Sequence, residues 1–108
     1  MKVMTPENMT TLLREDGVAM TALFSESSAT MGHAVFPPGT VVPFAAHDAD
    51  EYSYILSGEV KCKTEDGVVT TMTAGCSGFI PAGESHSSYN DSDADCVLVW
   101  MLVGTSKA

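Results

Sequence analysis

Two stretches carry most of the information in this 108-residue chain. The first is Gly39-Thr-Val-Val-Pro-Phe-Ala45-Ala-His47-Asp-Ala-Asp-Glu51-Tyr-Ser-Tyr-Ile-Leu-Ser-Gly58. The second is Gly75-Cys-Ser-Gly-Phe-Ile-Pro81-Ala-Gly83-Glu-Ser-His86-Ser-Ser-Tyr-Asn90. Glu51 opens a run, Tyr52 to Leu56, with the aromatic and branched side chains of a β-strand. Side chains alternate across a strand, so Ser53 and Ile55 share the face of Glu51, while Tyr52 and Tyr54 point the other way. Pro81-Ala82-Gly83 marks a turn, and His86, Ser88 and Asn90 share one face of the strand after it. If Glu51 and His86 both face inward, they meet His47 as two imidazoles and one carboxylate. Such a set, with positions left open, suits a divalent metal that also binds substrate or oxygen. Zinc, iron(II), manganese, nickel and cobalt are all admitted. The residues leave one alternative open: three polar side chains near turns, hydrogen-bonded or solvated.

The surrounding chain reads as short strands: Val18 to Phe24, Ala29 to Phe36, Tyr52 to Leu56, Glu59 to Thr64, Val68 to Thr73, Ser77 to Ile80, Ser85 to Tyr89 and Cys96 to Val103. Turn residues separate them at Pro37-Pro38-Gly39, Ser57-Gly58, Asp66-Gly67, Ala74-Gly75 and Asn90-Asp91. Many strands with even spacing and Gly/Pro turns predict an all-β sandwich or barrel. A two-residue turn at Asp66-Gly67 would pair Thr64 with Val69 and Cys62 with Thr71. That register points Val60, Cys62, Thr64, Val69, Thr71 and Thr73 inward, and Lys61, Lys63 and Glu65 outward. The last strand is apolar on both faces, which predicts a central position. Near the start, Thr5, Pro6 and Glu7 followed by Met9, Leu12 and Leu13 predict a short outer helix from Pro6 to about Glu15.

Composition bounds the function. Five Lys and Arg against 14 Asp and Glu give a net charge of −9, which repels phosphate backbones and anionic membrane surfaces. No apolar run reaches a membrane span, and no apolar signal segment follows a basic start. Cys62, Cys76 and Cys96 fit no zinc pattern or disulfide framework and read as reduced thiols of a cytoplasmic protein. The length fits one domain, residues 1–108.

The two quoted stretches resemble the two cupin motifs. The first is similar to glycine, five residues, HxH, three or four residues, glutamate, six residues, glycine. The second is similar to glycine, five residues, PxG, two residues, histidine, three residues, asparagine. Motif one spans 39–58 and motif two 75–90. The resemblance implies a double-stranded β-helix, or jelly-roll barrel, with a metal-centred pocket at its mouth, and it implies a homodimer. Carried over residue by residue, it gives His47, Glu51 and His86 as metal ligands. It departs at one ligand: Ala45 stands where the first histidine of HxH is expected. His33 on a neighbouring strand is a candidate replacement, although it shares its face with Met31 and Val35. Asp48 and Asp50 flank the site and read as turn residues.

The sole arginine, Arg14, is assigned to the outer helix; Lys2 and Lys107 are terminal. No cation is then left inside to clamp an anionic substrate. The inward list, Ser53, Ile55, Cys62, Val69, Thr71, Phe79, Val99 and Met101, suits a small, mostly apolar or metal-chelating molecule. Tyr52, Tyr54 and Tyr89 read as packing or rim residues, and neither Cys62 nor Cys96 has a base beside it to make a nucleophile. The expected function is a metal-dependent cupin enzyme of dioxygenase, isomerase or lyase type; the alternative is a non-catalytic binding or sensor cupin, with or without metal.

Overall fold

Nine strands appear in the computed structural model, which describes residues 1–104; Lys107 lies outside the described residues. They are β1 (Thr11–Leu13), β2 (Ala19–Glu26), β3 (Ala29–Phe36), β4 (Asp50–Ser57), β5 (Glu59–Thr64), β6 (Val69–Thr73), β7 (Ser77–Ile80), β8 (His86–Tyr89) and β9 (Cys96–Val103). Every pairing is antiparallel. The larger sheet has the order β1-β2-β3-β9-β4-β7 and the smaller β6-β5-β8. The fold is the all-β jelly roll expected from the sequence, and β9 is central, paired with β3 on one side and β4 on the other.

The two sheets close over Val18, Ala34, Phe36, Ile55, Val60, Cys96 and Leu98. At one end of this core the buried Asn90 side chain ties three segments together. Its amide Nδ2 donates to the carbonyls of Phe36 at 2.7 Å and Ala94 at 2.8 Å, and its Oδ1 accepts from Ser92 N–H at 2.9 Å. Gly58 is required at the same end. Its φ is +76°, and a Cβ there would lie 2.2 Å from the Asp95 carbonyl oxygen.

Three expectations are corrected. The helix from Pro6 to Glu15 does not form. Pro6–Asn8 makes a single 3₁₀ turn, without a side-chain cap from Thr5, and the chain then enters β1. A ten-residue helix in water is marginal, whereas the edge of β2 offers complete backbone pairing and a Thr11–Thr21 hydroxyl bond of 2.7 Å.

The β5–β6 hairpin is shifted by one residue. Thr64 N–H donates to Val68 O at 3.1 Å, so the loop is Glu65-Asp66-Gly67 with Gly67 at φ +85°. Asp66 Oδ1 accepts from Val68 N–H and Thr64 Oγ1, which favours this three-residue form over the two-residue turn. Cys62 therefore sits opposite Thr70 and Val60 opposite Met72. Thr70 and Met72 line the cavity, and Val69, Thr71 and Thr73 do not.

The inward face of β9 is Leu98, Trp100 and Leu102 rather than Val99 and Met101. Ile55 pairs with Leu98, Ser53 with Trp100 and Glu51 with Leu102, so the inward parity of β4 fixes that of β9. By the same register Phe79, opposite Tyr52, projects mainly outward and is 54% exposed.

Candidate metal centre

Backbone stitching between the two motif turns brings the donors together. The segment after Pro37 runs beside β8 through bridges from Val41 to Tyr89 and from Ala45 to His86, the latter closed by two hydrogen bonds of 3.0 Å. Gly83 N–H donates to His47 O at 2.7 Å, and Ala82 N–H to Asp50 Oδ1 at 3.0 Å. His47 is thus held over the Pro81-Ala82-Gly83 turn, beside His86 at the start of β8. Glu51 reaches the same place from β4, on the inward face.

His47 Nε2 lies 3.2 Å from Glu51 Oε1, and His86 Nε2 lies 3.6 Å from the same oxygen. The donor atoms of the three residues all fall within 4.8 Å of one another. An ion bound at about 2.1 Å would space adjacent donors about 3.0–3.4 Å apart, close to the two shorter separations. His86 Nδ1 is 3.0 Å from the Glu84 carbonyl. A carbonyl only accepts, so Nδ1 carries a proton, and in the neutral ring Nε2 then offers its lone pair toward Glu51 and His47. Exposure is graded: the side chains of His86, Glu51 and His47 are 9%, 21% and 43% exposed. One ligand is therefore anchored in the wall and one lies at the rim, with solvent access between them. The donor set and spacing fit a divalent cation.

The trio borders a cavity of about 510 Å³ between the sheets. Ser53, Cys62, Thr64 and Ser88 line it, as their strand parity predicts, and so does Ala45. Ala45 faces the cavity from beside His86, where the first HxH histidine was expected. His33 does not replace it. Its neighbour Ala34 lines the cavity, so His33, paired with Thr21 and Val99, projects from the opposite face of the sheet. Asp50 serves the turn bond to Ala82. Burial raises the Cys62 thiol, with the Glu51 and Glu84 charges adding to the shift, which keeps it protonated and unsuited to attack. Tyr52 and Tyr54 lie on the outer face, where Tyr52 packs on Phe79 with ring centres 5.1 Å apart.

Arg14 corrects the sequence reading. It lies just past β1 rather than on a helix, it lines the cavity, and its guanidinium meets Asp16 at 2.6 Å. The cavity wall therefore includes a cation, already paired with a carboxylate. Trp100, Met20 and Met72 were missing from the inward list as well. The parity of β4 carried across to β9 would have found Trp100.

All-β architecture and a two-histidine, one-carboxylate rim on an inter-sheet cavity define a β-barrel with a candidate metal pocket. The family model for the cupin domain matches residues 32–102, and the chain belongs to the cupin family. No curated protein sequence matches the chain. Among solved structures it is similar to an RmlC-like cupin from Shewanella frigidimarina, with TM-score 0.84 and 21% identity over 97% of this chain and 92% of that one. It is also similar to the polyketide cyclase RemF from Streptomyces resistomycificus, with TM-score 0.87 and 15% identity over 100% and 82%. A third similar structure is KdgF from a Halomonas species, with TM-score 0.81 and 14% identity over 96% and 94%. At these identities the likeness is one of fold.

Proposed function

We propose that the chain works as one cupin domain whose cavity is a metal-dependent active site for a small, metal-chelating molecule. The observation that carries this reading is the convergence of His47, Glu51 and His86 on the rim of an inter-sheet cavity. These three would hold a divalent cation, whether iron, manganese, zinc, nickel or cobalt. When bound, it would supply Lewis-acid polarisation of a carbonyl or enolate oxygen. The Glu84 carbonyl orients His86, the bonds to the 81–83 turn hold His47 in place, and the small Ala45 leaves room for a chelating ligand. Isomerase, lyase and dioxygenase chemistry all fit such a site. That one neighbour of the same fold is a polyketide cyclase supports placing the chain among enzymes.

A second reading, a binding or sensor cupin, is favoured by Ala45 itself, since a fourth protein ligand is missing at the cavity wall. Elemental analysis of protein purified without added metal separates the two. Near-stoichiometric metal, lost on His47→Ala and on His86→Ala, supports the enzyme. Metal-free protein that both substitutions leave equally stable would move the assignment to the sensor. Ala45→His is expected to tighten metal binding at least tenfold.

We further propose a homodimer through the outer face of the larger sheet, where Tyr52, Tyr54, Phe79 and Met101 are exposed. This strip carries no formal charge in a chain of net charge −9, so a second copy meets least repulsion there. Among the described residues no helix is long and apolar enough to cross a membrane. The three free thiols support a cytoplasmic setting.

A further inference from the structure

Beside the polar Ser53, Thr64, Thr70 and Ser88, the cavity wall carries six apolar or sulfur-bearing side chains: Met20, Phe36, Val60, Met72, Leu98 and Trp100. Trp100, the only tryptophan of the chain, occupies this wall in an unusual way. Its cross-strand neighbour on β3 is Gly32, in the middle of an eight-residue strand. Gly32 is not among the positive-φ glycines, so the backbone does not require it. The indole does: a Cβ on Gly32 would lie 2.3 Å from Trp100 Cζ2 and 2.5 Å from Cε2. Glycine in a strand interior weakens the strand and often marks a close approach of another group. The indole Nε1–H is engaged by Met20 Sδ at 3.0 Å, so the one polar group of the ring is used within the wall and an apolar surface is left toward the cavity. Arg14, the one cation in the wall, is already paired with Asp16.

A small hydrophilic acid would use the rim donors and leave this wall in contact with water. A cavity of about 510 Å³ has the size of a site that surrounds a ligand of two or more rings. We propose that the ligand is a planar, mainly apolar ring system carrying two adjacent oxygen donors. Its oxygens face His47, Glu51 and His86, its rings lie against the Trp100 wall, and Trp100, seated by Gly32, determines that preference. The inference rests on the metal-site reading above and goes beyond it by naming the ligand class.

The test uses zinc, which is redox-inert toward diols, and two probes that chelate alike but differ by one ring, catechol and naphthalene-2,3-diol. Calorimetry first measures zinc alone, then each diol on the zinc-loaded protein. The ratio of the two affinities is compared with the ratio for zinc nitrilotriacetate in the same buffer, which removes the intrinsic difference between the diols. The protein is expected to favour naphthalene-2,3-diol about tenfold beyond that reference, the scale set by burying roughly 50 Å² more apolar surface. Trp100→Leu, with its fold checked by circular dichroism, should return the ratio to the reference with zinc affinity unchanged. Gly32→Ala should do the same by displacing the indole.

No excess preference in the wild-type protein, an excess that Trp100→Leu retains, or tighter binding of oxalate than of either diol would each overturn the inference while leaving the metal site intact. Conversely, protein that binds no zinc yet still favours naphthalene-2,3-diol would overturn the metal reading and leave the aromatic preference standing.

Discussion

At the residue scale, the chemistry of this chain turns on small differences of burial. Burial pushes the Cys96 thiol up to about 11, and Cys62 is raised for the same leading reason. Cys76, half-buried after β6, is shifted the other way, because the Thr73 backbone and then the Thr73 hydroxyl stabilise its thiolate. Alkylation follows the thiolate, so one cysteine should react readily in the native protein. Iodoacetamide at pH 8 is expected to label Cys76 first, with Cys62 and Cys96 labelled only in denaturant. Mass spectrometry of peptides cut after glutamate, which puts Cys62, Cys76 and Cys96 on separate fragments, checks the order, and early labelling of Cys96 would contradict its burial. The convergence of His47, Glu51 and His86 was legible in sequence through the resemblance to the two motifs, with strand parity adding a shared inward face for Glu51 and His86. Arg14 was not, because it was assigned to a helix that edge pairing with β2 displaces.

At the scale of elements, the second motif does two jobs at its two ends. His86 faces the cavity at the start of β8, and Asn90 fastens the loop just after it. Truncating Asn90 leaves the buried Phe36 carbonyl without its donor and the Ser92 N–H without its acceptor, while the Ala94 carbonyl keeps the Ser92 hydroxyl at 3.0 Å. Asn90→Ala should therefore cost about 2–4 kcal/mol, read as a lower urea midpoint at unchanged slope. A loss under about 0.5 kcal/mol would mean that water takes over both bonds. The β5–β6 hairpin shows where pattern reading stops. A single-residue change in loop length exchanges Thr71 for Thr70 on the inner face, and the choice rests on Asp66, whose carboxylate holds the Thr64 hydroxyl and the Val68 amide. Those same bonds, the hydroxyl first, hold Asp66 below its ordinary value of 3.8. Because the folded value is depressed, its support for the turn is present above pH 3.8 and is lost as the pH falls through the folded value. Asp66→Asn should remove that acid-side component of hairpin stability while leaving the barrel folded, a difference visible in amide exchange at Val68 and Val69 between pH 2 and pH 6.

At the scale of the whole molecule, the two faces of the larger sheet serve different ends. The inner face carries Glu51 and the cavity wall; the outer face carries the uncharged strip around Tyr52, Tyr54, Phe79 and Met101. Light scattering after size exclusion should give about twice the 11.4 kDa chain mass. Met101→Glu, which places a carboxylate in the strip, should return it to the monomer mass. A wild-type monomer at tens of micromolar would sink the dimer. The general architecture was legible from strand count, turn spacing and the two motifs. The face of β9 was not, because Val97 to Val103 is apolar at every position and alternation has nothing to distinguish. Only the pairing with β4 settles which half looks inward.

The central place of β9 also has a temporal side. Strands β3 and β4 never touch as hydrogen-bonded neighbours; residues 96–103 stand between them. During synthesis, everything from β1 to β8 emerges with a gap in the middle of its principal sheet, and two exposed strand edges wait for the insertion that joins them. Native structure in this domain is thus completed only when residues 96–103 insert, and nascent chains stalled before Cys96 should engage chaperones and resist compaction.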